Sequence, residues 1–162
     1  MMGRFFVVAA ALLVLGACST SVQDTARSPT IDAQTGQPVQ TYVAAARAIS
    51  NYGVAPEVLQ ALEVAFSREV RKREPLGMPV AVTMDVTQFE VKSGGARFFG
   101  GALVGSNKMF VTVQLVDTEN RLVREFKVER KSNPGGYGMF YDQKTATVEV
   151  TAEEIVKTIY GD

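Results

Sequence analysis

The sequence predicts an α+β fold: a small antiparallel sheet of about three to four strands, with two N-terminal helices and a C-terminal helix packed on one face. Three observations carry that prediction. Apolar residues recur every three or four positions at Leu59, Leu62, Phe66 and Val70, and again from Tyr141 through Thr145, Val148, Ala152, Ile155 and Ile159, which is the period of an amphipathic helix. Between those stretches, apolar and polar residues alternate around Val80–Val86, Val111–Leu115 and Phe126–Val128, the period of a strand with one buried face. The order helix, helix, strand, strand, strand, helix then stacks helices on a small sheet.

The elements follow in chain order. Thr41 to Ser50 (TYVAAARAIS) is Ala-rich and sets Tyr42, Ala45, Ala46 and Ile49 on one face, so it predicts a short helix that stops near Asn51, Tyr52 and Gly53. Pro56 suits the first turn of a second helix, because its missing N–H is not needed there. Pro75 and Gly77 end that helix. Its polar side carries Arg68, Arg71, Lys72 and Arg73 with Glu69 and Glu74. That side is either a docking face for anionic lipid or glycan, or a solvated face whose charges partly cancel. Along the first predicted strand the alternation Val80, Val82, Met84, Val86 slips to Phe89 and Val91, which predicts a bulge near Thr87-Gln88. The next two strands are separated by Asp117 to Asn120 and predict an antiparallel hairpin, with Asn120 in the left-handed conformation. Asn133 to Gly138 is a loop by composition. The closing segment reads as a helix, although Val148 and Val150 leave a strand open for its first half.

The N-terminus has a different logic. One positive charge at Arg4 precedes the apolar run Phe5 to Leu15, and Gly16 and Ala17 are small. This is the layout of a secretory signal peptide, and the run is too short for a membrane-spanning helix, which needs roughly 20 residues. Leu15-Gly16-Ala17-Cys18 resembles the bacterial lipobox, in which the cysteine thiol is acylated and the chain is cut before it. The resemblance implies residues 1–17 as leader, Cys18 as the lipidation site, and the lipid bilayer as a partner through acylated Cys18. Two or more acyl chains anchor a protein stably where one does not. Ser19, rather than Asp, after the cysteine implies sorting to the outer membrane facing the periplasm rather than retention at the inner membrane. Residues 18–40 are polar with almost no large apolar side chain, so they read as a lipidated N-terminus and flexible tether. About 22 such residues span roughly 25 Å. Residues 41–162 then form a single domain.

Composition removes whole classes of chemistry. Lys plus Arg and Asp plus Glu number 17 each, so losing Arg4 with the leader leaves a slightly acidic mature chain. That argues against nucleic acid, whose binding surfaces are strongly basic. There is no His, and Cys18 is the only cysteine. A Ser-His-Asp or Cys-His triad and an N/S zinc site are therefore impossible, and no metal or cofactor is expected. The carboxylate pairs Asp117 with Glu119 and Glu153 with Glu154 lie by pattern on a turn and a helix surface, outside any apolar pocket that would raise one pKa. No enzymatic activity is expected.

Gly94 to Gly105 (GGARFFGGALVG) stands out. Its last six residues resemble a phosphate loop, but Ser106-Asn107 replaces the required Lys-Ser/Thr and Lys108 comes two places late. Phe98, Phe99, Gly100 and Gly101 form a candidate interaction loop; the alternative is a tight connection that buries both rings. Tyr137, beside a second Gly cluster, poses the same choice. From Val80 to Val128 and beyond, Thr87-Gln88-Phe89, Gly100-Gly101, Val116-Asp117 and Gly135-Gly136 resemble the pattern of a group of uncharacterised proteobacterial envelope lipoproteins. That resemblance implies a small α/β domain and an envelope location, and carries over no catalytic residue. The expected function is a membrane-anchored, non-enzymatic envelope lipoprotein that presents its domain to a protein partner. The alternative is a binding module for glycan or amphiphile.

Overall fold

A computed structural model of the chain describes residues 19–27, 40–91, 106–132 and 142–161. Strand β1 spans Ser19–Arg27 and β2 Thr41–Ile49; helix α1 spans Pro56–Val70. Strands β3 (Met78–Glu90), β4 (Asn107–Val116) and β5 (Leu122–Ser132) follow, and helix α2 (Gln143–Tyr160) closes the described chain. The sheet order is β1-β5-β4-β3-β2. All neighbours are antiparallel except β2, which runs parallel to β3.

The alternation in β3, β4 and β5 builds the core. Register sets Val82 opposite Leu115, Met84 opposite Val113, and Val86 opposite Val111. It continues with Val113 opposite Phe126 and Val111 opposite Val128. All of these are buried on one face of the sheet. Onto that face α1 lays Val58, Leu62, Ala65 and Phe66, and α2 lays Val148, Ala152, Ile155, Val156 and Ile159. Each fully buried side chain of this size stabilises the fold by about 1.5–3 kcal/mol before entropy is subtracted. The bulge falls where the phase slip predicts it, between Val86 and Gln88, and it returns Phe89 to the core side. The β4–β5 hairpin forms as expected, with Asn120 at φ 59°. Val148 and Val150 belong to α2, not to a strand.

Polar groups fix the ends of these elements. Asp117 is buried at the hairpin turn; its Oδ1 accepts the N–H of Glu119 (2.8 Å) and of Arg121 (2.9 Å), and its Oδ2 accepts Arg121 Nε at 2.7 Å. The Arg121 backbone and guanidinium bonds hold the Asp117 carboxyl below its ordinary pKa. Asp142 caps α2 by accepting the N–H groups of Lys144 and Thr145. Gly161 ends that helix in the left-handed conformation, at φ 79°.

Two expectations are overturned. Among the described residues the sheet is not a small antiparallel one of three to four strands but a mixed sheet of five, and no pair of helices precedes it. Thr41–Ile49, expected as a helix, is the parallel edge strand β2. Alanine favours helix over strand, but the ladder to β3 overrides that local preference, and Thr41, Tyr42, Val43 and Ile49 are strand formers. A parallel pair needs a crossover, and α1 provides it between β2 and β3. Ser19–Arg27, expected as part of a tether, is the opposite edge strand β1. Its polar sequence buries little, so ladder bonds and side-chain pairs to β5 hold it.

Gly77 marks where β2 and β3 begin together. It sits at φ 91°, and a Cβ built there lies 1.9 Å from the Gln40 carbonyl oxygen, while the next N–H, of Met78, donates to that oxygen at 2.7 Å. Gly77→Ala is expected to lose about 2 kcal/mol or more from backbone strain and this clash, measured as a lower urea midpoint with unchanged slope. The depressed Asp117 pKa predicts an acid effect. Its stabilisation is fully present above the unfolded carboxyl value of about 4 and is lost as pH falls through the lower folded value. Asp117→Asn is expected to flatten the fall of the urea midpoint with acidification below pH ~4.

Candidate functional site

Cys18, Phe98, Phe99, Gly100, Gly101 and Tyr137 lie outside the described residues. The structure does describe what flanks them. Ser19 pairs with Lys131, Lys131 with Lys108, and Lys108 with Glu90, one row of four residues across the end of β1, β5, β4 and β3. Ser19 directly follows Cys18. Val91 and Ser106 bound the stretch that contains Phe98 to Gly101, and Ser132 precedes the stretch that contains Tyr137. The candidate segments therefore leave the sheet from the same end as the chain that leads to Cys18.

The side chains of this end are polar and paired. Lys131 Nζ lies 3.1 Å from Glu129 Oε2 and 5.2 Å from the centroid of the Phe110 ring. Arg130 donates from Nη1 to Thr20 Oγ1 at 2.7 Å, tying β5 to the second residue of β1; its Nε is buried without a hydrogen bond among the described residues. Gln88 donates to Glu90 Oε1 at 2.7 Å. Buried Asn107 donates to Gln143 Oε1 at 2.8 Å and joins the start of β4 to the start of α2.

Further along β1 a charged clamp takes over. Arg124 Nε contacts Asp24 Oδ1 at 2.7 Å, its Nη1 donates to the Thr158 carbonyl at 2.6 Å, and its guanidinium sits 4.9 Å from the Phe126 ring centroid. One arginine thus ties β1, β5 and the last turn of α2 together. On the other sheet face Thr25 donates to Glu125 Oε1 and Gln114 to Oε2, both at 2.7 Å. Those bonds, Gln114 first, hold the Glu125 carboxyl below its ordinary pKa. Sequence reading missed Arg124 and Asp24. They are 100 residues apart, and neither residue type signals a pair without the strand register.

The helix-free face of the sheet is polar. It presents Thr83 and Asp85 from β3, Lys108, Phe110, Thr112 and Gln114 from β4, and Glu125, Lys127, Glu129 and Lys131 from β5. Asp85 Oδ1 is buried there with no hydrogen bond among the described residues. A cleft of about 480 Å³ opens between the start of α1, the end of β3 and the start of α2, lined by Tyr52, Val54, Glu57, Gln88, Phe89 and Lys144 among others. Two of the four cations on the basic side of α1 are paired with carboxylates: Arg68 meets Glu149 at 3.1 Å and Glu69 at 3.5 Å, and Lys72 meets Glu69 at 2.6 Å. Among the described residues no group of three or more acidic, His or Cys side chains could hold a metal ion, and no helix is long and apolar enough to cross a membrane.

No protein family profile matches the chain, and no curated protein matches it. Solved structures do. PelC from Paraburkholderia phytofirmans, described as a dodecamer in two crystal forms, is 11% identical over 88% of this chain and 98% of its own, with TM-scores of 0.56 and 0.55. At that identity the likeness shows a shared fold. A candidate lipoprotein from Caulobacter crescentus is also similar, 12% identical over 72% of this chain and 88% of its own. Its TM-score is 0.39.

If the Arg124 clamp holds β1, Arg124→Ala is expected to loosen that strand and spare the core. Charge-assisted bonds of this kind are worth about 1.5–3 kcal/mol when half-buried. Hydrogen exchange should show lost protection in residues 19–27 with β3 and β4 unchanged.

Proposed function

We propose that the protein is a non-enzymatic lipoprotein of the cell envelope, held through acylated Cys18 in the outer membrane on its periplasmic side, whose domain works through protein–protein contacts, first with copies of itself. The observation that carries the anchor is Leu15-Gly16-Ala17-Cys18 behind a charged head and an apolar run. Self-assembly is supported by the fold likeness to PelC, a dodecamer, over 88% of this chain. It is supported also by the unequal edges of the sheet. On β2, Ala48 N–H donates to Glu63 Oε1 at 2.7 Å and Val43 N–H to the Tyr160 hydroxyl at 3.4 Å, so helix side chains occupy edge donors. No strand pairs with the outer side of β1 among the described residues. An exposed edge is a ready template for another chain.

Ser19 after the cysteine supports the outer membrane. The pairing of Arg68 and Lys72 with carboxylates weakens the basic helix face as a glycan or lipid site.

The test uses the full chain with its leader, expressed in a Gram-negative host, labelled with an alkynyl fatty acid and extracted in mild detergent. Label at Cys18 and native masses at whole multiples of the protomer are expected. Cys18→Ser should abolish label and membrane retention while export continues. A protein that stays monomeric at every concentration would sink the self-assembly reading and leave the anchor standing.

A further inference from the structure

We infer that the sheet end formed by Ser19, Lys131, Lys108 and Glu90 rests on the bilayer surface, so that the strands rise from the membrane and the Asp117–Arg121 turn stands farthest from it. This rests on the acylation of Cys18 and goes beyond it, because a lipid anchor by itself sets no orientation.

The orientation comes from the absence of slack. The Cα atoms of Cys18 and Ser19 are about 3.8 Å apart, as across any trans peptide. Ser19 is already in the sheet, paired with Lys131, and Thr20 is paired with Arg130 and bonded to its side chain. Asp24 and Arg124 hold the strand further on. With β1 in place, the glyceride on Cys18 brings the Ser19 end of the sheet to headgroup depth. A tether of about 22 free residues would have let the domain turn in any direction at roughly 25 Å.

Charge fits the same orientation. Lys108 is the second residue of β4, and Arg130 and Lys131 lie within the last three of β5, with Glu90 and Glu129 beside them; Lys131 remains 48% exposed. Cations at this depth meet lipid phosphates. The far turn carries Asp117 and Glu119 against Arg121 alone, and Glu119 is 68% exposed. Lying flat on the helix-free face would bring Asp85, Glu125 and Glu129 to those phosphates together with Lys108, Lys127 and Lys131, with no cationic excess to hold it there. At about 3.3 Å per residue, β4 sets the far turn roughly 30 Å from the anchored row. The free edge of β1 then faces sideways, along the membrane plane, where a second anchored copy can reach it.

The experiment exploits the lone cysteine, which acylation removes as a free thiol. The full lipidated chain is placed in vesicles of phosphatidylethanolamine and phosphatidylglycerol that carry nitroxide headgroup lipids. A fluorophore is attached in turn at Lys131→Cys, Lys127→Cys and Glu119→Cys, with Lys108→Cys as a second probe of the anchored row should Lys131→Cys fold poorly. The row probes are expected to lose most of their emission, Lys127→Cys less, and Glu119→Cys none. Equal loss at Lys131→Cys, Lys127→Cys and Glu119→Cys would mean a domain lying flat and would overturn the inference. Loss at none of them, with lipid on Cys18 confirmed by mass, would mean that β1 peels off as a tether, and would overturn it too. Absence of lipid on Cys18 would remove the anchor reading and the inference with it.

Discussion

One face of the β3–β4–β5 meander is apolar and the other is not, and the ladder register keeps it so from strand to strand. Met84 faces Val113, which faces Phe126; Val86 faces Val111, which faces Val128. A slip of one residue in any of these strands would turn its apolar set to water and its charges into the core. The bulge at Thr87 preserves the pattern: it absorbs the phase change in the sequence so that Phe89 still reaches the core side. Both helices follow from this constraint. Leu62 and Phe66 of α1, and Ala152 and Ile155 of α2, are fully buried because there is one apolar sheet face to cover and two amphipathic helices to cover it.

The two edge strands obey different physics. β2 is bound to the core through the crossover α1 and through Val43, Ala46 and Ala48, which pack beneath the helices. β1 contributes Val22 to that side, still 37% exposed, and is held mainly by ladder bonds, by Arg124 and by Arg130. Local stability follows buried apolar contact, so β1 is the element expected to open at the lowest free energy.

This difference explains what could be read from the sequence. Strands and helices with one strongly apolar side were legible: the alternation in β3 to β5, the slip at Thr87-Gln88, the stripe Leu59–Val70, and even Asn120 in its left-handed turn. The edge strands were not. Ala44, Ala45 and Ala46 carry no period that separates helix from strand, and the parallel pairing that decides the matter comes from residues some 35 positions later. Ser19–Arg27 has no apolar period at all; its strand state depends on Asp24 meeting Arg124 and Thr25 meeting Glu125, 100 residues away. Of the candidate site, the lipobox pattern stands on the sequence alone, since its chemistry needs contiguous residues and Cys18 lies outside the described ones. The aromatic loops were legible as candidates only, since contact is a property of the folded surface.

The element least visible in the sequence is thus the one on which the proposed anchor would bear. A polar strand held by charge pairs on the edge of a sheet is weak against peeling, in which bonds break one at a time, and stronger against a pull along its own axis, which loads its ladder together. A domain whose anchored end meets the membrane with the strands rising from it puts that pull along β1. A flat-lying domain puts it across β1. The side-chain ties suit the first geometry: Arg130 secures Thr20 near the start of β1, and Arg124 secures Asp24 and the α2 terminus further along, so that a load applied at Ser19 would pass to β5 and to the core helix.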